Sequence, residues 1–252
     1  MTRATERFAD RVDDYVRHRP SYPGELVDAM LERLGVGEGG TLVDLGSGTG
    51  ISSRLLVARG RNVVAVEPNE PMRRAAESAL GGDARFRSVA ASAEATTLAD
   101  ASIDGAVAFQ SFHWFDAARC RDELRRILRP GGRVALVWNE RLVDTPFLVA
   151  YEELLQRRSP DYAKVEHRNA YEKIAAFFAP TRPIELAAPN EQSFDREGLF
   201  GRVLSSSYVP KSGPDHDAIV AELDGLFAEH QSEGVVAFRY LTKAFVGPLD
   251  RE

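Results

Sequence analysis

A chain of 252 residues is long enough for one large domain, and its 44% hydrophobic and 28% charged residues are typical of folded globular proteins. The net charge of -6 argues against nucleic-acid binding, because a phosphate backbone recruits proteins through clustered Lys and Arg. A single cysteine excludes an internal disulfide, and no stretch approaches the roughly 18 apolar residues of a membrane span, so we expect a cytoplasmic monomer or homodimer without a membrane partner.

Strands and helices alternate regularly from about residue 41 to residue 138. Short apolar runs predict strands over 41–45, 62–66, 84–89, 103–109 and 133–138. Helical periodicity predicts helices over 51–58, over 70–80 behind Asn69 as N-cap, and over 116–128. The tripeptide Pro130-Gly131-Gly132 predicts a turn before the fifth strand. This alternation implies right-handed crossovers and therefore a parallel sheet.

The flanking segments have a different pattern. Residues 1–34 carry helical periodicity and predict an N-terminal cap segment, whereas residues 35–140 form the ligand-binding α/β core. Residues 141–182 are mostly helical in pattern and rich in aromatic residues, which predicts a substrate cap. Residues 183–252 add strands near 184–188 and 235–246, with helices near 196–204 and 215–230. We therefore predict an α/β fold, a doubly wound and mostly parallel seven-stranded sheet with a helical cap.

The strongest local signal is the sequence VDLGSGTG at residues 43–50, between the first strand and its helix. Glycines suit a tight turn that lets a ligand lie against the backbone, and the first N–H groups of the next helix face the same place. Glu67 closes the second strand, near the roughly 20-residue offset at which a carboxylate binds ribose hydroxyls. A dinucleotide fingerprint needs glycine where Ile51 stands, and the acidic Asp44 suits a ligand with a positive amino group and a sulfonium. These features favour S-adenosylmethionine (SAM) over NAD.

Five segments occur in an order that is similar to the motif set of class I SAM-dependent methyltransferases. They are VDLGSGTG, VEPNEPM, SAEATTL, FQSFHWFD and LRPGGR. Near the two ends, YVRHRPSYP and FRYLTKAF resemble the small-molecule methyltransferases that include trans-aconitate methyltransferase. The resemblance implies a Rossmann-like methyltransferase fold, SAM as cofactor and S-adenosylhomocysteine (SAH) as its product.

The same resemblance implies which residues contact the cofactor. They are Asp44, Gly46, Ser47, Gly48, Glu67, Pro68, Asn69, Met72, Ser92, Ala93, Glu94 and Gln110. The glycine loop lines the amino-acid end of SAM, which Asp44 supports through its carboxylate, and Glu67 holds the ribose. The residues after Glu67 flank the adenine, and residues 92–94 recognise its edge. Gln110, after the fourth strand, approaches the methionine part and the methyl group.

Candidates for the acceptor side lie in two segments. His113 follows the fourth strand, at the end where open α/β sheets bind ligands, and is a candidate base, a substrate contact or a structural residue beside Trp114. Trp114 is a candidate wall of the site because aromatic faces suit a sulfonium. In the N-terminal segment, Tyr15, Arg19 and Tyr22 are candidate substrate contacts, and Arg19 suits a carboxylate. The alternative is a segment that merely packs on the sheet edge.

These patterns predict a methyltransferase that acts on a small molecule, at an oxygen of a carboxylate or hydroxyl. C-methylation of a quinone or polyketide-like ring under an aromatic cap is the second reading, and a catalytically silent ligand-binding fold is the third. Three arginines, at positions 141, 168 and 239, are weaker acceptor candidates that we expect at the surface. The histidines are too scattered to predict a metal site.

Overall fold

The computed structural model describes residues 19–160, 162, 168–206 and 208–250. The helices of this part are α1 (Gly24–Leu34), α2 (Ile51–Val57), α3 (Glu70–Leu80), α4 (Ala117–Ile127), α5 (Pro146–Arg158), α6 (Arg168–Phe178), α7 (Arg196–Leu204) and α8 (Pro214–His230). Its strands are β1 (Thr41–Leu45), β2 (Asn62–Val66), β3 (Phe86–Val89), β4 (Ile103–Phe109), β5 (Leu128–Arg141), β6 (Ile184–Phe194) and β7 (Val236–Gly247).

The strands form one twisted sheet in the order β3-β2-β1-β4-β5-β7-β6. The first five strands in this order are parallel to their neighbours, and β7 runs antiparallel to both β5 and β6. Starting from β1, the chain moves outward to β3 and then crosses back to β4, so the topology reverses beside β1. The prediction of a doubly wound, mostly parallel seven-stranded sheet is confirmed.

Helices cover both faces of the sheet. On one face, α1 and α2 pack through Met30 and Leu56 against strand residues such as Val107 and Val137. On the other face, α4 and α6 pack against alternate strand residues, so that Leu124 and Phe178 share a core with Leu136. Because side chains of a strand alternate between faces and both faces are covered, β4 and residues 134–138 of β5 are apolar at nearly every position.

The edge strand β6 extends further than the predicted 184–188, whereas β7 lies within one residue of the predicted 235–246. The second half of β6 is not predicted from the sequence because residues 190–193 are polar. In the structure, β6 and β7 pair along eleven positions, from Ile184↔Val246 to Phe194↔Val236. Pro189 is tolerated there because β6 is an edge strand. The extension carries a third apolar cluster, in which α5, α7 and α8 pack around Phe238.

The predicted turn at residues 130–132 is wrong in extent. These residues lie inside β5, which begins at Leu128 rather than near residue 133. The pairing with β4 shifts there, from Ile103↔Leu128 to Gly105↔Arg133, so the tripeptide forms a bulge with Gly131 at φ 79°. Within the described ranges, no helix is both long and apolar enough to cross a bilayer.

Candidate active site

A cavity opens at the carboxyl ends of β1, β2, β3 and β4, beside the reversal of topology. Its volume of about 490 Å³ is typical of a small-molecule site. The lining residues are Tyr22, Gly46, Ser47, Gly48, Thr49, Ile51, Ser52, Glu67, Pro68, Asn69, Met72, Ser92, Ala93, Glu94, Phe109, Gln110, Ser111, Trp114 and Phe115. Every residue predicted from the sequence to contact the cofactor is among them except Asp44.

The glycine loop after β1 is shaped by backbone constraints. Gly46 has φ 62°, and a Cβ atom there would lie 2.8 Å from the Cβ of Ser111, so a side chain is excluded. The N–H groups of Gly46 and Ser47 both donate to the carbonyl of Val66, at 2.8 and 3.2 Å. Gly48 also has a positive φ, 57°, and its ideal Cβ has no atom closer than 3.9 Å, so its backbone borders open cavity.

Asp44 has a different position from the one predicted. It is fully buried, and its Oδ2 accepts hydrogen bonds from the hydroxyls of Ser52 and Ser53, at 2.7 Å each. Burial raises the pKa of Asp44 to about 6, against the lowering effect of these two hydrogen bonds. The predicted direct contact with the cofactor is therefore corrected: the carboxylate joins β1 to the first turn of α2 and shapes the loop from behind.

Glu67 closes the opposite wall and faces the glycine loop. Its side chain accepts from the Gly48 N–H at 2.9 Å and from the Asn69 N–H at 2.8 Å, one bond to each oxygen. A carboxylate oxygen has two lone pairs, so each retains acceptor capacity toward a diol in the cavity. Burial raises the pKa of Glu67, although the two N–H groups lower it.

The wall that the sequence predicts for the adenine is built around the N-caps of two helices. Asn69 accepts from the Met72 N–H at 3.0 Å, which confirms it as the N-cap of α3. On the facing wall, the side chain of Glu94 accepts from the N–H of Asp116, the N-cap of α4, at 2.9 Å. The carboxylate of Glu94 is therefore used in this cap, and its neighbours Ser92 and Ala93 also line the cavity.

Gln110 connects the cavity to the next strand. Its φ of 54° turns the chain after β4, and its side-chain oxygen accepts from the Asn139 N–H at 2.8 Å. Ser111 donates from its hydroxyl to the carbonyl of Leu45 at 2.7 Å, which ties the ends of β4 and β1 together. Sequence reasoning missed Ser111 as a lining residue, together with Thr49, Ile51, Ser52, Phe109 and Phe115. Each lies within four residues of a predicted one, which is the signal that could have found it.

Residues 43–136 match a family model described as a methyltransferase domain. This match makes residues 43–136, less than half of the chain, similar to a methyltransferase domain. It is 41% identical over 134 residues to an uncharacterized methyltransferase of Mycobacterium tuberculosis, across 53% of this chain and only about half, 52%, of that relative. An uncharacterized methyltransferase of Schizosaccharomyces pombe is 29% identical over 249 residues, which cover 94% of this chain and 95% of the relative.

A solved structure agrees with the fold of this chain along almost its whole length. It comes from Anaeromyxobacter dehalogenans and is named as a type II methyltransferase candidate, with 27% identity and a TM-score of 0.71. The superposition covers 92% of this chain and 98% of the other. The cofactor of the class is SAM, while the narrower resemblance to trans-aconitate methyltransferase stays a prediction.

The turn after β4 forms the outer wall of the cavity. Residues Phe112–Trp114 form a short 3-10 helix, and Trp114 lines the cavity with 42% of its surface exposed. The ammonium of Lys173, from α6, donates to the carbonyls of Phe115 and Phe112 at 2.7 and 3.2 Å. Lys173 therefore fixes this wall, and its distance along the sequence explains why sequence reasoning missed it.

His113 does not line the cavity. Its ring packs against Trp114 with the centroids 4.7 Å apart, and its carbonyl faces the ammonium of Lys173. This position corrects the prediction of a catalytic base or substrate contact at the cofactor, and it agrees with the structural alternative.

The predicted N-terminal substrate residues divide into three outcomes. Tyr22 lines the cavity and packs edge-on against Phe109, with ring centroids 4.7 Å apart. Arg19 does not line it, but its charge acts on Tyr208. Tyr15 lies outside the described residues. The segment is fastened at Ser21, whose carbonyl accepts from the side-chain amides of Asn139 and Asn190 at 3.2 and 2.8 Å.

Two of the arginines predicted at the surface differ in their exposure. Arg239 is half-exposed and pairs with Asp144 at 2.7 Å, as expected. Arg141 is instead mostly buried, with 13% of its side chain exposed, and pairs with Glu152. The sequence does not predict this burial. Arg141 lies at the end of β5, and the third apolar cluster that covers this strand end is formed by residues distant in the sequence.

Proposed function

We propose that this protein transfers the methyl group of SAM to an oxygen of a small-molecule acceptor, a carboxylate or a hydroxyl. The observation that carries the proposal is the cavity itself, which joins a buried diol-accepting carboxylate, Glu67, to a glycine loop that leaves backbone exposed. Its volume suits a cofactor with room for a small acceptor group.

The lining residues fit the parts of SAM. Glu67 would hold the ribose hydroxyls, the backbone of Gly46–Gly48 would face the amino-acid end, and Met72 with Pro68 would flank the adenine. The residues 92–94 would present backbone groups to the adenine edge. When bound, SAM supplies a methyl carbon that an oxygen lone pair attacks as the carbon–sulfur bond breaks, leaving SAH.

The chain's own contribution is alignment and exclusion of water. Tyr22, Phe109, Trp114 and Phe115 form an aromatic wall at the acceptor side of the cavity. An aromatic wall keeps water from competing with the acceptor and holds the reacting atoms close. A carboxylate needs no general base, which is consistent with a histidine, His113, that lies outside the cavity lining.

The packing of the aromatic residues disfavours the ring C-methylation reading. Those expected to form a roomy apolar cap are mostly used inside the protein: Phe147 and Tyr151 belong to the third apolar cluster, and Phe177 and Phe178 to the core under the sheet. They are at most 5% exposed and none lines the cavity. The division into a helical cap at 141–182 and a core at 35–140 stays a prediction.

The test is a transfer assay with methyl-labelled SAM against carboxylic acids, phenols and quinones. We expect label in an acid or phenol, and the label of a methyl ester is released by mild base. Glu67→Ala should lose transfer, while Glu70→Ala, an exposed glutamate paired with Arg74 on α3, should retain it. Base-stable label on a quinone ring would contradict O-methylation, and SAH binding without transfer to any acceptor would favour the silent fold.

A further inference from the structure

A second group of polar residues lies beyond the carboxyl end of β5, among β7, α5 and α7. We call it the arginine–tyrosine cluster: Arg141, Tyr151, Arg202, Tyr208 and Tyr240. Arg202 is 6% exposed and Tyr151 is 1% exposed, so this group is buried against the third apolar cluster. The guanidinium of Arg141 lies 4.5 Å from the ring centroid of Tyr151. The methyltransfer chemistry described above uses none of these side chains.

The cluster contains more positive charge than the described residues neutralise. Arg141 pairs with Glu152, which also accepts from Tyr162 at 2.6 Å. Arg202 donates to the hydroxyl of Ser206 at 3.0 Å, but no carboxylate of the described residues lies within ion-pair distance of it. A buried guanidinium that no described carboxylate neutralises is costly, so Arg202 points to a function other than stability.

Two nitrogen atoms of these guanidinium groups lack hydrogen-bond acceptors. They are Nε of Arg202 and Nη1 of Arg141, both shielded from solvent and unpartnered within the part of the chain that the structure describes. A guanidinium presents its N–H groups as a rigid fork that matches the two oxygens of a carboxylate. A carboxylate of the molecule that receives the methyl group would therefore supply both the missing negative charge and the missing hydrogen-bond acceptor atoms.

The pKa of Tyr208 is consistent with a positive electrostatic environment in the cluster. Burial raises the pKa of the Tyr208 hydroxyl, but Arg202, Arg141 and a hydrogen bond with Ser206 lower it, and the net pKa lies below its ordinary value. Arg19 acts on Tyr208 in the same direction. The N-terminal arginine that the sequence suggested for a carboxylate thus adds its charge to this cluster rather than to the cofactor cavity.

The cluster is connected to the cofactor cavity by one short stretch of β5. Gln110, in the cavity wall, accepts from the N–H of Asn139, and Arg141 lies two residues further on. Alternation places Arg141 and Asn139 on the same face, about 7 Å apart along the strand. Ser21, which bonds to Asn139, precedes the cavity residue Tyr22 and follows Arg19 by two positions. Cavity and cluster are therefore neighbours along two separate segments.

We propose that the arginine–tyrosine cluster binds a carboxylate of the acceptor, remote from the oxygen that is methylated. The acceptor class is then a bifunctional acid: one carboxylate held by Arg202 and Arg141, and a second oxygen group directed toward the cofactor cavity. This inference rests on the proposed function. It adds the anion that anchors the acceptor and the residues that select it.

The experiment is calorimetric titration of SAH-saturated protein with dicarboxylates of four to six carbons, their monoamides and phosphate monoesters of the same length. The variants are Arg202→Met, which removes the charge, and Tyr208→Phe, which removes only a hydroxyl. Arg202→Lys keeps the charge without the fork. Arg196→Met is the matched control, because Arg196 also lies on α7 but is exposed and pairs with Asp224 at 2.6 Å. SAH affinity and melting temperature are measured on every sample.

We expect at least one dicarboxylate to bind at least about tenfold more tightly than its monoamide, in wild type and in Arg196→Met. Arg202→Met should lose at least about tenfold in dicarboxylate affinity while SAH affinity stays within about twofold. Its melting temperature should be equal or higher, because an unneutralised buried charge has been removed. A purely structural arginine would instead lower the melting temperature and leave dicarboxylate preference unchanged.

Three results would overturn the inference: no preference for a dicarboxylate over its monoamide, equal dicarboxylate binding by Arg202→Met, or stronger binding of the phosphate monoester. If Arg202→Met fails to fold, Arg202→Lys and Tyr208→Phe decide in its place, and both should weaken dicarboxylate binding. Absence of SAH binding by the wild type has a separate meaning, because it overturns the proposed function and this inference with it.

Discussion

The cofactor cavity and the arginine–tyrosine cluster differ in the groups that they offer to a ligand. Around the cavity, backbone N–H groups bond to the carbonyl at the end of β2 and to two acidic side chains, Glu67 and Glu94. In the cluster the polar groups come from long basic side chains and tyrosine hydroxyls. A backbone-built site is set by the fold and changes little with side-chain substitution, whereas a site built of side chains is readily changed. The comparison indicates how one methyltransferase fold keeps its cofactor while its acceptor varies.

The largest effect should come from a change that disturbs the backbone-built side. Gly46→Ala forces a Cβ to within 2.8 Å of Ser111 and an L residue into a left-handed conformation. We expect the free energy of unfolding to fall by about 2–5 kcal/mol, together with loss of SAM affinity. Chemical denaturation and calorimetry measure both.

Gly82→Ala is the matched control for that substitution. Gly82 has no positive φ, and its ideal Cβ meets nothing within 4 Å. The control should change the free energy of unfolding by less than about 0.5 kcal/mol. An equal effect of the two substitutions would contradict a loop shaped by the approach of Ser111.

A second prediction concerns Asp44, the buried acid behind the loop. Its pKa is raised to about 6 in the folded protein, so between about pH 4 and pH 6 the folded state binds more protons than the unfolded state. Stability attributable to Asp44 is therefore highest below this window and is lost as the pH rises through it. Relative to Asp44→Asn, the wild type should lose about 2 kcal/mol between pH 4 and pH 7.

Urea denaturation at several pH values measures this difference. Asp28→Asn is the control, because Asp28 is an exposed carboxylate whose pKa is lowered by its hydrogen bond to Arg59. Its pH dependence should have the opposite sign or be negligible. Parallel stability curves for wild type and Asp44→Asn would show that the buried carboxylate is not destabilised by its surroundings.

The glycine loop and Asp44 show which features the sequence predicts and which it does not. The strands at 41–45, 62–66 and 103–109 are predicted to the residue, because buried parallel strands are continuous apolar runs bounded by glycine and polar residues. The glycine loop and Glu67 are found for the same reason: their signals are contiguous. The orientation of Asp44 is not predictable, because it depends on Ser52 and Ser53, which α2 brings behind β1.

The acceptor side is harder to predict because its residues are dispersed. Arg141, Arg202 and Tyr208 are separated by many positions, and each has a locally ordinary context for a surface residue. They meet because β6 and β7 pair along a long extension, against which α5 and α7 pack. Periodicity reports which residues are buried, but it does not report which buried residues face each other.

The smallest effect should come from His113, the sequence-predicted base that lies outside the cavity lining. His113→Ala should change kcat by less than about threefold and leave SAM affinity unaltered, because no proton transfer is assigned to it. Steady-state kinetics with the best acceptor measure this. A loss of about a hundredfold or more in kcat would return His113 to the role of general base.

Calorimetric titration with SAH, with NAD as the control ligand, tests the central claim most directly. It compares wild type, Glu67→Ala and Glu70→Ala. The account predicts SAH binding and no NAD binding by the wild type, and an unchanged SAH affinity in Glu70→Ala. In Glu67→Ala the SAH affinity should be lower by about 10- to 150-fold, the equivalent of about 1.5–3 kcal/mol for a lost charged hydrogen bond. Equal SAH affinity in all three proteins, or binding of NAD, would contradict the assignment of this cavity to SAM.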